Sequence, residues 1–166
     1  MSNILDNGLA KEVKVSRAEQ YSWASLAGLA AVFWWFQMRM LDGFTIVDQS
    51  ALRLFGVYIA VITASTALEI AIAALVSRGR PPEKDERDDA IEARANLNER
   101  IVIIAAVNVV IWQALMEGMF SDHALPHIDL TSLPTLFFVL FAILFGGEMV
   151  KRVTTIWLYR SQAPRG

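Results

Sequence analysis

The stretch "LPTLFFVLFAILF" (133–145) holds thirteen residues, and none of them is charged. A helix at the surface of a soluble bundle shows a polar stripe, and this stretch has none. "LAGLAAVFWWF" (26–36) has the same character. Both stretches are typical of helices surrounded by lipid, and they predict an integral membrane protein.

Four segments are free or nearly free of charge, and each approaches or exceeds the roughly 17–25 residues that cross a hydrocarbon core of about 30 Å. The shortest has 16 uncharged residues, and Arg100 and Glu117 at its ends can reach the headgroups. The sequence therefore predicts an all-α, polytopic four-helix membrane bundle made of two helical hairpins. The segments are 21–38, 54–76, 101–116 and 130–147.

The predicted bundle forms a single domain over residues 21–160, between an N-terminal tail (1–20) and a C-terminal tail (161–166). The N-terminal tail mixes acids with bases and shows no small-residue cleavage site, so we expect the first segment to be retained. The chain has no cysteine, which excludes disulfides and thiolate-bound metals. It also lacks a nucleophile motif, a phosphate loop and a nucleotide fingerprint. We predict a protein that is not an enzyme and needs no cofactor.

The loop around 120–130 contains His123 and His127 close to Asp122 and Asp129. Histidines and carboxylates at short spacing can bind zinc. Pro126 interrupts the helical spacing of the two histidines, which favours an ordinary polar loop. We predict no metal site.

Lysine and arginine are distributed unevenly along the chain. Thirteen of the fifteen lie in the N-terminal tail, in the middle segment or in the C-terminal segment, and only Arg39 and Arg53 lie near the other loops. Cytoplasmic loops of membrane proteins are enriched in these residues. We therefore expect both termini and the middle segment in the cytoplasm, with the loops near 42–50 and 120–130 on the outside.

The middle segment is "PPEKDERDDAIEARANLNER" (81–100), which has seven acids and four bases. Its two prolines suit the start of a helix, and no further proline or glycine occurs before Gly118. One helix is predicted from about 83 to 120, with a length of roughly 55 Å. Its first third is expected to project into the cytoplasm as an acidic stalk (81–100).

Most acids of the stalk share one helical face, because residues three and four apart lie on the same side. Like charges at these spacings repel each other, so a cationic partner is expected. One candidate is the end of the last helix, with Lys151, Arg152 and Arg160. The other is the basic surface of a soluble protein. The predicted docking face consists of Asp85, Arg87, Asp88, Asp89, Glu92 and Glu99.

Three polar side chains, each within a predicted span or directly at its end, are a second candidate site. Glu69 is an ionisable residue at a depth where function is the default hypothesis, and it is predicted to carry protons or coordinate an ion with Glu148. Alternatively, Glu69 fixes helix packing by pairing with Thr63, Thr66 or Asn108. Asn108 is itself expected to form a hydrogen bond between helices.

The two hairpins resemble each other in sequence. "MLDGF" (40–44) and "LMEGM" (115–119) occur at corresponding places. They indicate either an internal repeat with an axis along the membrane normal or a chance likeness. An aromatic cluster consists of Trp34, Trp35 and Phe36. We interpret it as part of an interfacial aromatic belt, with a lipid or quinone site as the alternative.

"DERDDAIEARANLNE" (85–99) and "GGEMVKRVTTIWLYR" (146–160) resemble motifs of a family of small bacterial four-helix membrane proteins of unknown function. The family pattern is a "DERD…I…RA" loop and a "GE…K…YRRG" ending, and "YRSQAPRG" (159–166) departs from that ending. The resemblance implies a multi-pass protein of the bacterial inner membrane. Family members are often encoded beside small helix-turn-helix regulators, which implies a transcription factor as the partner.

The sequence thus supports two functional hypotheses. The first is a non-enzymatic membrane protein that holds a cytosolic DNA-binding regulator on its acidic stalk without binding nucleic acid itself. The second is a small transporter or channel, as a homodimer, that uses Glu69 and Glu148. The lipid bilayer is the expected surrounding in both.

Overall fold

Four helices make up nearly all of the described chain. A computed structural model describes residues 17–77, 86–119 and 129–161. The predicted all-α four-helix bundle is confirmed, and its tails lie almost wholly outside the described residues. The elements are α1 (Arg17–Met40), β1 (Leu41–Asp42), β2 (Thr45–Ile46), α2 (Ala51–Ser77), α3 (Glu86–Met119) and α4 (Leu133–Ser161).

Three of the helices, α2, α3 and α4, are long and apolar enough to cross a membrane. The length and composition of these three helices indicate that the chain is a membrane protein. α1 has 24 residues, enough to cross, but it is not among the three. Its serines, tryptophans and glutamines make it less apolar, so the first predicted span stays a prediction.

The starts of α2 and α4 are set by serines. The Ser50 carbonyl accepts a hydrogen bond from the Leu54 N–H at 3.1 Å, and the Ser132 carbonyl accepts one from the Leu136 N–H at 3.0 Å. Serine is a preferred residue at this position. Pro134 lies in the first turn of α4, where its missing N–H leaves no helical hydrogen bond unmade.

A tight β-hairpin connects α1 to α2, where the sequence had indicated only a loop. Asp42 pairs with Thr45, and Gly43 has a φ of 63° between them. Two-residue hairpin turns require a positive φ at this position, which glycine adopts without strain. The Gln49 side chain donates a hydrogen bond to the Arg39 carbonyl at 2.8 Å and so caps the end of α1.

α1 and α4 are the central pair of the bundle. α1 packs against α2 and α4, whereas α3 packs against α4. A repeat with two equivalent halves would bring α2 and α3 together as closely as α1 and α4, and the described contacts lack that pairing. The "LMEGM" stretch also continues α3, while "MLDGF" enters the hairpin. The two hairpins therefore do not pack as equivalent halves.

Aromatic rings fill the core between α1 and α4. Phe36 is fully buried, and its ring lies 5.3 Å from that of Phe141 and 5.6 Å from that of Phe138. Such pairs add to the free energy of burial itself. The belt interpretation was wrong for Phe36, which belongs to the core, while Trp34 and Trp35 are exposed.

Two glycines allow the helices to approach each other closely. A Cβ atom on Gly28 would lie 2.3 Å from the Leu68 side chain of α2, and one on Gly147 would lie 2.6 Å from the Ile103 side chain of α3. Small residues at helix contacts are a usual device of membrane proteins, which lack a hydrophobic driving force between helices. These glycines set the α1–α2 and α3–α4 distances.

Candidate functional site: the Arg152 network

The consecutive basic residues Lys151 and Arg152 of α4 contact acids on two different helices. Arg152 Nη2 lies 3.2 Å from Oε1 of Glu69 on α2, and its Nε lies 3.7 Å from Oε2 of Glu148. Lys151 Nζ lies 3.3 Å from Oε2 of Glu99 on α3. Successive residues of a helix are about 100° apart, so the pair can contact two different helices. The Arg152 network comprises Tyr21, Ser25, Glu69, Glu99, Glu148, Lys151 and Arg152.

Glu69 receives hydrogen bonds from two helices. The hydroxyl groups of Tyr21 and Ser25 on α1 donate to its two carboxylate oxygens, and Arg152 donates to one of them. The Arg152 guanidinium also lies over the Tyr21 ring, 5.5 Å from its centre. A carboxylate at this depth is costly unless it is paired, and these donors stabilise its charged form.

Arg152 keeps one donor unused. Its Nε is buried and makes no hydrogen bond within the described chain, because the Glu148 carboxylate remains at 3.7 Å. The Arg152 side chain is 18% exposed, and those of Glu69 and Glu148 are 37% and 39% exposed. Arg152 is thus the most enclosed of these three charged side chains, and the two acids reach it from a more open side.

A cavity of about 440 Å³ opens beside this group. Glu69, Glu148 and Arg152 form its polar wall, and Thr66 lies next to them. The remaining wall is mostly apolar, with Leu29, Ile70, Phe141, Leu144 and Phe145. Glu69 and Glu148 therefore line the same cavity, with Arg152 between them. Their predicted role in carrying protons or coordinating an ion stays a prediction.

A further ion pair ties α1 to the end of α4. Arg160 Nε lies 3.0 Å from Oε1 of Glu19, and the guanidinium of Arg160 lies 5.2 Å from the centre of the Trp23 ring. Glu19 is buried although it is charged. Together with the Arg152 network, this pair joins α4 to each of the other three helices at one end of the bundle.

The acidic stalk is anchored on α4 by polar contacts. Tyr159 donates a hydrogen bond from its hydroxyl to Asp88 at 2.7 Å and accepts one at its carbonyl from Arg87 at 3.5 Å. Asn98 donates to the Thr154 hydroxyl at 3.3 Å. Ile91 and Ala95 of the same helix are buried. The described stalk is thus a helix fixed along α4.

The predicted docking face is divided by this anchoring. Asp88, Glu99 and Arg87 contact α4 and lie at its edge, while Asp89 and Glu92 are exposed. Asp85 lies outside the described residues. Of the three basic residues proposed as the internal partner, Lys151 pairs with the stalk at Glu99. Arg152 pairs instead with Glu69 and Glu148, and Arg160 pairs with Glu19, so that part of the prediction was wrong. The α4 contacts engage one edge of the stripe, and the other edge is exposed.

Asn108 was predicted to bond to another helix, and this prediction was wrong. Its side chain donates to the carbonyl of Ile104 in its own helix at 2.8 Å and is exposed. α3 is apolar on all sides in this part, so the sequence did not reveal which face meets α4. Asn108 lies on the face directed away from it.

The sequence also missed the partners of Glu69. Thr63, Thr66 and Asn108 were the expected partners, whereas Tyr21, Ser25 and Arg152 are the observed ones. Tyr21 and Ser25 lie four residues apart and so share one face of α1. That spacing of two hydroxyls on one face of α1 was the available signal.

The structure describes only Asp129 of the residues weighed for zinc. Its carboxylate accepts a hydrogen bond from the Thr131 N–H at 3.0 Å, which is a local turn before α4. His123, His127 and Asp122 lie outside the described residues. Within ranges 17–77, 86–119 and 129–161, no group of three residues is arranged to hold a metal ion.

Comparison with models of known protein families, with curated proteins and with solved structures gives no match.

Proposed function

We propose that this chain is a non-enzymatic, membrane-anchored binding protein that docks a basic cytosolic protein on the outward edge of its acidic stalk. The partner that the family resemblance implies is a helix-turn-helix regulator. Its DNA-binding surface is cationic, so an acidic helix is electrostatically complementary to it. The protein itself makes no contact with nucleic acid in this proposal.

One observation supports the docking proposal most directly. Asp88 and Glu99 are held by α4, while Asp89 and Glu92 on the next part of the helix surface are exposed. A rigid helix that presents acids in a fixed geometry loses little conformational entropy when a partner binds. The contacts to α4 supply this rigidity, and the exposed acids supply the charge.

The Arg152 network offers a route by which the spans influence the stalk. Glu69 on α2 contacts Arg152, and the adjacent Lys151 contacts Glu99 on α3. A change in the position of α2 relative to α4 alters both contacts, and Glu99 belongs to the stalk. We therefore propose that the partner is bound or released according to the arrangement of the spans.

The proposed location is the bacterial inner membrane with both termini in the cytoplasm. The thirteen basic residues on one side against two on the other support this orientation. It places the stalk where a cytosolic regulator can reach it.

The docking proposal is tested by crosslinking and pull-down from native membranes. The variant Asp89→Asn/Glu92→Asn removes two exposed acids, and Asp42→Asn/Asp48→Asn removes the same charge at the hairpin end. We expect a basic soluble protein to be captured by the wild type and by the hairpin control but not by the stalk variant. Equal capture by all three chains contradicts docking on this edge.

A small dimeric transporter or channel is the second candidate, and the cavity beside Glu69 and Glu148 favours it. Three donors already satisfy Glu69, which leaves it less able to bind an ion, so we rank this function second. Glu69→Gln should abolish transport and leave docking intact. If Glu69→Gln and the stalk variant both leave every cellular phenotype unchanged, neither function holds.

A further inference from the structure

A groove of about 600 Å³ lies at the hairpin end of the bundle, opposite to the Arg152 network. Arg39 from the last turn of α1 and Arg53 from the first turn of α2 both line it. These are the two basic residues that the charge asymmetry leaves at this end. The other lining residues are Trp35, Val47, Gln49, Gly56, Val57 and Ala60.

The two arginines have no acidic partner among the described residues. Asp42 and Asp48 are close in sequence, but neither lines the groove nor forms an ion pair with a described cation. Two guanidinium groups that share a groove repel each other unless an anion lies between them. The groove is therefore electrostatically complementary to an anion.

The shape of the groove narrows the choice of anion. Arg53, Gly56, Val57 and Ala60 follow one another at helical spacing, so the α2 wall runs from the cation about 10 Å along the helix into its apolar part. Trp35 lies one turn before Arg39 on the α1 wall. A Cβ atom on Gly56 would meet nothing within 4 Å, which shows that the wall is open there.

We propose that this groove binds one anionic phospholipid, with its phosphate between Arg39 and Arg53 and the start of an acyl chain along Gly56 and Ala60. Arginine forms paired hydrogen bonds with phosphate oxygens. The N-terminus of α2 beside Arg53 adds a partial positive charge. An anion without a hydrocarbon chain would leave the apolar wall uncovered, so the structure favours a lipid over free phosphate.

The test measures lipid binding to the full chain in detergent, by native mass spectrometry and by the shift of the unfolding temperature. The probes are phosphatidylglycerol, phosphatidylcholine and inorganic phosphate. Phosphatidylglycerol is expected to bind most tightly and to raise the unfolding temperature. Arg39→Gln/Arg53→Gln should weaken its binding by about tenfold or more, because charge-assisted hydrogen bonds to phosphate are lost.

Two further variants separate the possible outcomes. Arg94→Gln/Arg100→Gln removes the same charge from exposed positions of the stalk and should leave lipid binding unchanged. Gly56→Leu fills the open wall without changing the charge, and it should abolish lipid binding while sparing any binding of phosphate. An equal loss in the stalk control, or inorganic phosphate binding as tightly as the lipid, overturns the proposal. So does unchanged lipid binding in Gly56→Leu.

Discussion

Arg152 is the side chain that brings Glu69 and Glu148 together. It contacts Glu69 at 3.2 Å and lies over the Tyr21 ring. A cation between two acids keeps the net charge of the group small, which lowers the cost of placing them in an apolar surrounding. Removal of the arginine would leave two acids with too few donors.

Arg152→Met is expected to lower the free energy of unfolding by about 2 kcal/mol, between the roughly 0–1 kcal/mol of an exposed ion pair and the roughly 3–5 kcal/mol of a fully buried one. Unfolding in detergent by a denaturant measures it. Arg94→Met, at an exposed cation with no ion pair in the described chain, is the control and should change little.

The same residue permits a test of coupling. Adding Glu69→Gln to Arg152→Met should restore part of the lost stability, because the second change removes an acid that has lost its cation. Strict additivity of the two single changes would show that Glu69 and Arg152 do not act as a pair.

At the scale of the element, the contact of α3 with α4 depends on Gly147. A Cβ atom at this position would lie 2.6 Å from Ile103, whereas one on the neighbouring Gly146 would meet nothing within 4 Å. The two glycines thus form a matched pair within one helix. They share the same gain in helix propensity on substitution by alanine, about 1 kcal/mol.

Gly147→Ala is expected to destabilise the bundle relative to Gly146→Ala by about 1–3 kcal/mol, the usual cost of overpacking. The propensity gain cancels in this comparison, so the difference reports the close contact alone. Unfolding of both variants under the same conditions measures it. Equal stability of the two would mean that α3 does not approach α4 as closely as described.

The positions of the helices along the chain were predictable from the sequence, but the face that each helix turns toward its neighbours was not. The run without proline or glycine predicted a helix over 83–120, and α3 spans Glu86–Met119 in the described residues. The face that α3 turns toward α4 was not predictable, because its apolar part has no polar stripe, and Asn108 was misplaced for this reason. Glu69 stood out as a charge in a span, whereas Tyr21 and Ser25 are ordinary residues whose role depends on the packing of α1.

At the scale of the whole molecule, the charged groups separate into two ends. One end holds the Arg152 network and the stalk, and the other holds the hairpin with Arg39 and Arg53. This separation gives the proposed orientation a direct test. The chain has no cysteine, so a single introduced thiol reports one position without background.

Single cysteines in place of Asp48 and Asp89 are expected to react from opposite sides of the membrane. An impermeant thiol reagent added to intact cells should label the cysteine at position 48, and it should label position 89 only after the membrane is opened. Both positions are exposed, so the labelling reports the side and not burial. The reverse pattern would place the stalk outside and end the proposal of a cytosolic partner.

The packing of α3 against α4 has a consequence for biosynthesis. α1 and α2 leave the ribosome first and can pair at once. α3 packs against α4, whose end lies roughly forty residues after the end of α3. Synthesis of that stretch takes about 2–8 s at ~5–20 residues per second. Glu69 therefore enters the bilayer with its two hydroxyl donors already beside it but without its cation. The charge network closes only when the last helix arrives.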